Sequence, residues 1–299
     1  MEKSIKGKKT FWNLPFIPVL EFVIMFGFLI VQALIQNFLY QIVPQDNGFL
    51  ITFIEYSGTI ISWILIVIYA YLVKPDRPTL RSFGTKVKGN NFKNAFIGLI
   101  IGVAMNAACV LVAVFNKDIA LYFDQTNIVK MIVCSLILFA AVFIQSSSEE
   151  LLCRGFLYQR FRKTCKAPAI AIIAPSVIFG MIHLFNAGVT VLSFANIVLI
   201  GLLFALMVHY CDSLWMAFMA HTGWNFSQSI LFGLPNSGRI SPFSIFKLDL
   251  ASAKDSFAYH VGFGVEGTVF ACALIAVVLI AFLIYGIMSK KHPTPVWED

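Results

Sequence analysis

The sequence predicts an all-α, polytopic transmembrane helical bundle of about eight spans, a single integral membrane domain over 1–299. Three observations predict it. Charged residues make up 12% of the chain against 59% hydrophobic, about half the charged share of an ordinary soluble domain. Mean hydropathy is +0.83. Apolar stretches of the length that crosses a bilayer core, about 20 residues, recur eight times along the chain.

The stretches are taken in order. The first, 15–42, follows a basic start (Lys3, Lys6, Lys8, Lys9) and is longer than the apolar segment of a signal peptide, with no small-residue cleavage site. It is read as a retained span. The second is 50–73 and the third 94–115, which contains Gly98-Leu99-Ile100-Ile101-Gly102. That G-x-x-x-G spacing permits close helix approach and is read as packing inside the bundle. The fourth span is 131–154 and the fifth 167–186, followed by turn chemistry at Asn186-Ala187-Gly188. The sixth, 191–210, and the seventh, 213–232, are joined by Cys211-Asp212-Ser213. The eighth is 264–288.

Lys and Arg orient the bundle. With the N-terminus inside, seventeen of them fall on the inner side, six between the second and third spans. Five fall opposite: Lys117, Lys130, Arg239, Lys247 and Lys254. The positive-inside rule puts both termini in the cytoplasm. The net charge of +7 is therefore a topology signal, and no nucleic-acid partner is expected. The six Cys sit mostly in apolar runs without a C-x-x-C pair, which points to neither a zinc knuckle nor a disulfide framework.

Two short patterns carry no chemistry as read. Gly262-Phe263-Gly264-Val265-Glu266-Gly267 fits G-x-G-x-x-G but lacks the strand and βαβ context of a dinucleotide site. Asn225-Phe226-Ser227 fits a glycosylation sequon but falls in an apolar span.

Ionisable groups inside a span cost several kcal/mol and mark function or buried pairing. Three later spans carry them: Glu149, Glu150 and Arg154 in the fourth, His183 in the fifth, and His221 with Asn225 in the seventh. Glu150 and Arg154 are i,i+4 neighbours and can pair. Glu149 lies about 100° further round the helix and can point elsewhere. A carboxylate without a cationic partner in a low-dielectric cavity suits general-base work. His221 and Asn225 are also i,i+4, so imidazole and carboxamide project from one face and could hold a developing oxyanion. His183 lies one turn beyond Phe179, whose ring could shield it from lipid. Each group also has a plainer reading, as a structural ion pair or an interhelical hydrogen bond; their co-occurrence favours chemistry. Glu21 and Glu55, near span ends, are read as interfacial.

The ordered set Glu149-Glu150-x-x-x-Arg154, Phe179-x-x-x-His183 and His221-x-x-x-Asn225 resembles the CPBP intramembrane proteases. That family takes in the CAAX prenyl endopeptidases and bacterial bacteriocin-processing and self-immunity proteins. The resemblance covers roughly 130–230, the expected peptidase core. It implies that Glu149 and His183 activate water, that His221 and Asn225 stabilise the oxyanion, and that Glu150 and Arg154 position Glu149. It leaves the cofactor open between none and Zn²⁺, for which Glu149, His183 and His221 could supply three ligands. The expectation is an endopeptidase acting on a membrane-associated peptide or protein in the lipid bilayer of a bacterial cell, such as a bacteriocin, a pheromone precursor or a CAAX-like substrate. A non-catalytic immunity or scaffold protein and a proton-coupled transporter are the alternatives.

One geometric tension follows from these limits. Glu149 would lie near the cytoplasmic end of its helix, and His183 roughly 24 Å into the membrane from residue 167. The two meet only if the fourth helix continues through about Tyr158, or the fifth begins late or tilts.

Overall fold

A computed structural model describes residues 11–165 and 167–297. Lys3, Lys6, Lys8, Lys9 and Lys166, counted above for orientation, lie outside the described residues. The chain is an all-α bundle: α1 (Ile17–Ile42), α2 (Gly48–Ser57), α3 (Ile60–Leu72), α4 (Phe92–Phe115), α5 (Ile128–Glu150), α6 (Tyr158–Thr164), α7 (Pro168–Ile182), α8 (Val191–Cys211), α9 (Leu214–Phe226) and α10 (Val269–Ser289). Sheet is confined to β1 (Leu121–Phe123) and β2 (Phe246–Leu248), antiparallel with Leu121 opposite Leu248. This pairing ties the 116–127 loop to the long loop before α10.

Among the described residues, seven helical segments are long and apolar enough to cross a membrane. Their outer faces carry bare apolar side chains such as Leu34, Phe38, Phe96, Leu136 and Val277, as lipid contact requires. The remaining expected span, 213–232, is helical as α9 and a π-helical turn, Ser227–Leu231, but is less apolar. Its polar groups are satisfied inside the bundle, as a bilayer demands: Asn106 donates to Gln228 Oε1 at 2.6 Å, and Tyr56 to Ser229 Oγ at 2.7 Å. The eighth span begins at Val269 rather than 264, capped by Thr268.

The fourth span departs most from expectation. It runs as one 37-residue segment, Ile128–Thr164, in which a π-helical turn, Leu151–Leu157, joins α5 to α6. Arg154 reads in sequence as a charge at the membrane edge, yet it is fully buried and paired, so the helix continues ten residues beyond the expected end. This resolves the tension between Glu149 and His183. Both now stand 15 residues from the inner ends of their segments, Thr164 and Pro168, or roughly 22 Å along each helix at 1.5 Å per residue.

Glu21 is likewise buried rather than interfacial. It accepts from Arg160 Nε at 2.8 Å and Nη2 at 2.7 Å, while Asp76 Oδ1 lies 3.0 Å from the same Nε. Burial raises the carboxyl of Asp76, in the inner loop, above its usual range despite this cation. The triad clamps α1 and the 73–91 loop onto α6.

Small residues seat α4 against α9. A Cβ on Gly98 would meet the Met216 carbonyl, and one on Gly102 the Ala220 carbonyl. The G-x-x-x-G of the third span thus serves packing inside the bundle, directly behind the helix that carries His221 and Asn225.

Candidate active site

Helices α5, α7 and α9 bring the six expected residues to one place. Glu150 and Arg154 form a fully buried pair at 3.0 Å. Arg154 Nη2 also donates to the Gly201 carbonyl at 2.6 Å, and its guanidinium lies over the rings of Phe179, at 4.9 Å, and Phe204. Gly201 leaves room for it: a Cβ there would sit 2.8 Å from Nη2. Charge pairing, a carbonyl and two aromatic faces therefore share the cost of burying this cation.

Glu150 has a second partner. His221 Nδ1 lies 3.0 Å from its Oε1, so a carboxylate acceptor fixes Nδ1 as the protonated nitrogen. The imidazole is stacked on Phe204 at 5.2 Å and met edge-on by Phe179 at 6.0 Å. Its Nε2 then faces Glu149 Oε2, 3.8 Å away. His183 is fixed by the same logic: Nδ1 is 2.8 Å from the Phe179 carbonyl, which can only accept, so Nε2 is left unprotonated for other work. The Phe179 ring packs edge-on against it at 4.5 Å.

Glu149 is held by a residue that the sequence reading did not single out. Gln145 Nε2 donates to Glu149 Oε1 at 2.6 Å, and Gln145 Oε1 accepts from Asn225 Nδ2 at 2.9 Å. Gln145 precedes Glu149 by four positions, so i,i+4 spacing was the available signal. Glu149 Oε2 has no hydrogen-bond partner, and the side chain keeps 28% of its surface open. It lines a polar cavity of about 270 Å³ together with His183, His221 and Asn225. Gln32, Gln36, Asn186 and Asn236 supply further amides, and Glu55 pairs with the exposed Arg239 at 3.8 Å. Glu55 is thus a cavity residue rather than an interfacial one.

A third carboxylate was missed outright. Glu266, in the G-x-G-x-x-G segment, accepts from Trp224 Nε1 at 2.9 Å and from the Ser237 backbone N–H at 2.7 Å. Asn196 holds its carbonyl at 2.6 Å. Burial raises its carboxyl above the usual range, opposed by these donors and by His183 and His221. The segment is a turn leading into a short 3-10 helix, Val265–Gly267, without the strand and long helix of a dinucleotide site; Gly264 (φ +74°) lets it turn back on His260 against the Pro235 carbonyl.

Among the described residues, no three His, Cys, Asp or Glu side chains gather as a metal-ligand set. The trio Glu149, His183 and His221 does not converge in this arrangement, so no step below runs through a metal.

A polytopic bundle with carboxylates, histidines and amides around an internal cavity has the composition that a membrane-embedded hydrolase site requires. Residues 131–227, about a third of the chain, match the family described as Rce1-like: Type II CAAX prenyl endopeptidase Rce1-like. The match makes this core similar to the type II CAAX prenyl endopeptidases and supports the resemblance to the CPBP intramembrane proteases. It spans Glu149 through Asn225 and stops short of Glu266. No curated protein and no solved structure matches the chain significantly.

Proposed function

We propose that the protein is a glutamate-dependent endopeptidase that hydrolyses a peptide bond in a membrane-associated peptide of a bacterial cell. The observation that carries this reading is Glu149, a cavity-lining carboxylate whose Oε2 has no hydrogen-bond partner and lies 3.8 Å from His221 Nε2. A water in this cavity donates one O–H to Glu149 Oε2 and the other to an imidazole Nε2, of His221 or His183, which leaves an oxygen lone pair free. Its oxygen attacks the scissile carbonyl while Glu149 takes the proton. The oxyanion is met by Asn225 Nδ2, which Gln145 keeps aimed, and by His221 when protonated. The carbon–nitrogen bond then breaks, and Glu149 returns its proton to the leaving amine. Glu150 and Arg154 hold His221, in addition to the expected positioning of Glu149.

The amide-rich lining suits an extended peptide, whose backbone offers alternating donors and acceptors. The cavity mouth at Asn236 and Arg239 belongs to the loop before α10, on the face opposite the basic loops. With the termini cytoplasmic by the positive-inside rule, substrate enters from the outer face. The test compares membrane peptides, by mass spectrometry, from cells carrying wild type or Glu149→Gln. A peptide released only by wild type supports the reading; identical profiles overturn it in favour of a scaffold.

A further inference from the structure

Two voids meet at the histidine pair. The 270 Å³ cavity is lined by Glu149 and not by Glu266; a smaller chamber of about 30 Å³ is lined by Glu266 and not by Glu149. His183, His221, Asn225 and Ser237 form the wall that the two voids share. The chamber is large enough for about two waters, and its mostly apolar lining is broken by Glu266, His183, His221, Asn196, Asn225 and Ser237, which give them partners.

Glu266 is built into this place from three directions. Trp224, one turn from His221 on α9, takes one carboxylate oxygen, the Ser237 amide takes the other, and Asn196 of α8 fixes the backbone. Burying a carboxylate with two donors and no cation in contact is costly. Among the described residues, the opposite charges that act on it include those that His183 and His221 carry when protonated. Both oxygens accept, so a glutamine, whose amide nitrogen can only donate, would keep one of these bonds and lose the other. A carboxylate gives the site two acceptors and a negative charge together.

We propose that Glu266 is a positioning residue of the peptidase, acting on His183 and His221 through the water-sized chamber, from the side of the pair opposite Glu149. The residue lies beyond the segment shared with the Rce1-like family, so this part of the site is supplied by the loop before α10. Its carboxylate is a preorganised negative pole that favours the protonated form of either imidazole, the form in which His221 meets the oxyanion. The groups facing the pair from other elements are Glu149, Glu150 and Arg154 of the α5 segment, with Glu55 and Arg239 at the cavity mouth.

The inference rests on the peptidase reading, and its test separates the two. The full-length protein is assayed in detergent on a fluorogenic copy of the peptide whose release distinguishes wild type from Glu149→Gln. Absence of any such peptide overturns both. Given one, Glu266→Gln, which removes the charge and one of the two acceptors, is expected to lower kcat by about tenfold or more with KM within about twofold, at an assay temperature at which the variant is fully folded. Glu266→Asp, which keeps the charge, is expected to retain more kcat than the glutamine variant. Wild-type kcat in Glu266→Gln overturns the proposal while the peptidase reading stands. So does an equal loss in both variants accompanied by a fall in thermal midpoint, the mark of a loop anchor alone.

Discussion

His221 Nδ1 lies 3.0 Å from Glu150 Oε1, the same oxygen that Arg154 Nη1 meets at 3.0 Å. One carboxylate oxygen thus joins the buried cation of the α5 segment to the imidazole of α9. Losing Glu150 would strand Arg154 and free His221 to rotate, two separable effects from one residue. Removing one partner of a fully buried pair costs about 3–5 kcal/mol. Glu150→Ala and Arg154→Ala are therefore expected to lower the thermal midpoint well below that of Glu149→Ala, whose carboxylate is open to the cavity. Equal midpoints in all three variants would contradict this division.

Glu149→Gln is expected to lower peptide release on the order of 10²-fold or more, with normal membrane insertion. The amide keeps the hydrogen bond with Gln145 but cannot take a proton from water. Gln145→Ala leaves the carboxylate in place but loosens it and Asn225 together, so a smaller loss of kcat is expected. The comparison is made by single-turnover kinetics on the same peptide.

Gly102→Ala is expected to separate α4 from α9 and lower both stability, by about 1–3 kcal/mol, and activity. Its Cβ would run into the Ala220 carbonyl, next to His221. Gly27→Ala is the control, since nothing lies within 4 Å of a Cβ there. Matching melting curves for the two variants would show that the contact yields without cost.

Sidedness is tested by single cysteines at Lys88, Lys247 and Arg239 in otherwise cysteine-free protein. A membrane-impermeant maleimide applied to intact cells is expected to label positions 247 and 239, and position 88 only after lysis. Labelling of 88 and 247 from the same side would break the span parity, and labelling of 239 only after lysis would turn the cavity mouth inward.

Activity is expected to survive exhaustive chelation, with less than about one equivalent of zinc in the active protein. A catalytic zinc needs three oriented protein ligands, which Glu149, His183 and His221 do not present together here. Stoichiometric zinc, with activity lost on its removal and regained on its return, would overturn the metal-free mechanism and leave the peptidase reading in place.

The bundle and the six polar residues were legible because charge in an apolar run is conspicuous and helical spacing tells which groups share a face. Arg154 misled for the same reason: a lone sequence cannot separate a charge at the membrane edge from one buried against Glu150, Phe179 and the Gly201 carbonyl. Glu21 was misread because its partner, Arg160, stands 139 positions away. Gln145 is uncharged and so drew no notice, although its spacing to Glu149 was visible. Glu266 had no local signal, since its meaning lies in contacts with Trp224 and Ser237 that only tertiary structure creates.

The π-helical turn at Leu151–Leu157 makes the number of residues there matter as much as their identity. On one side of it stand Glu149 and Glu150; on the other, Arg160 is pinned between Glu21 and Asp76. Such turns carry one more residue than the α-helical path. Deleting the one extra residue would let the segment rewind as regular helix with its two ends kept in phase, whereas deleting a second would turn one end against the other by about 100°. Either Arg160 would leave its two carboxylates or the glutamate pair would swing out of the cavity. Two-residue deletions across 151–157 should therefore be far more damaging than one-residue deletions there. The segment acts as a phase setting between a membrane-edge anchor and the chemistry.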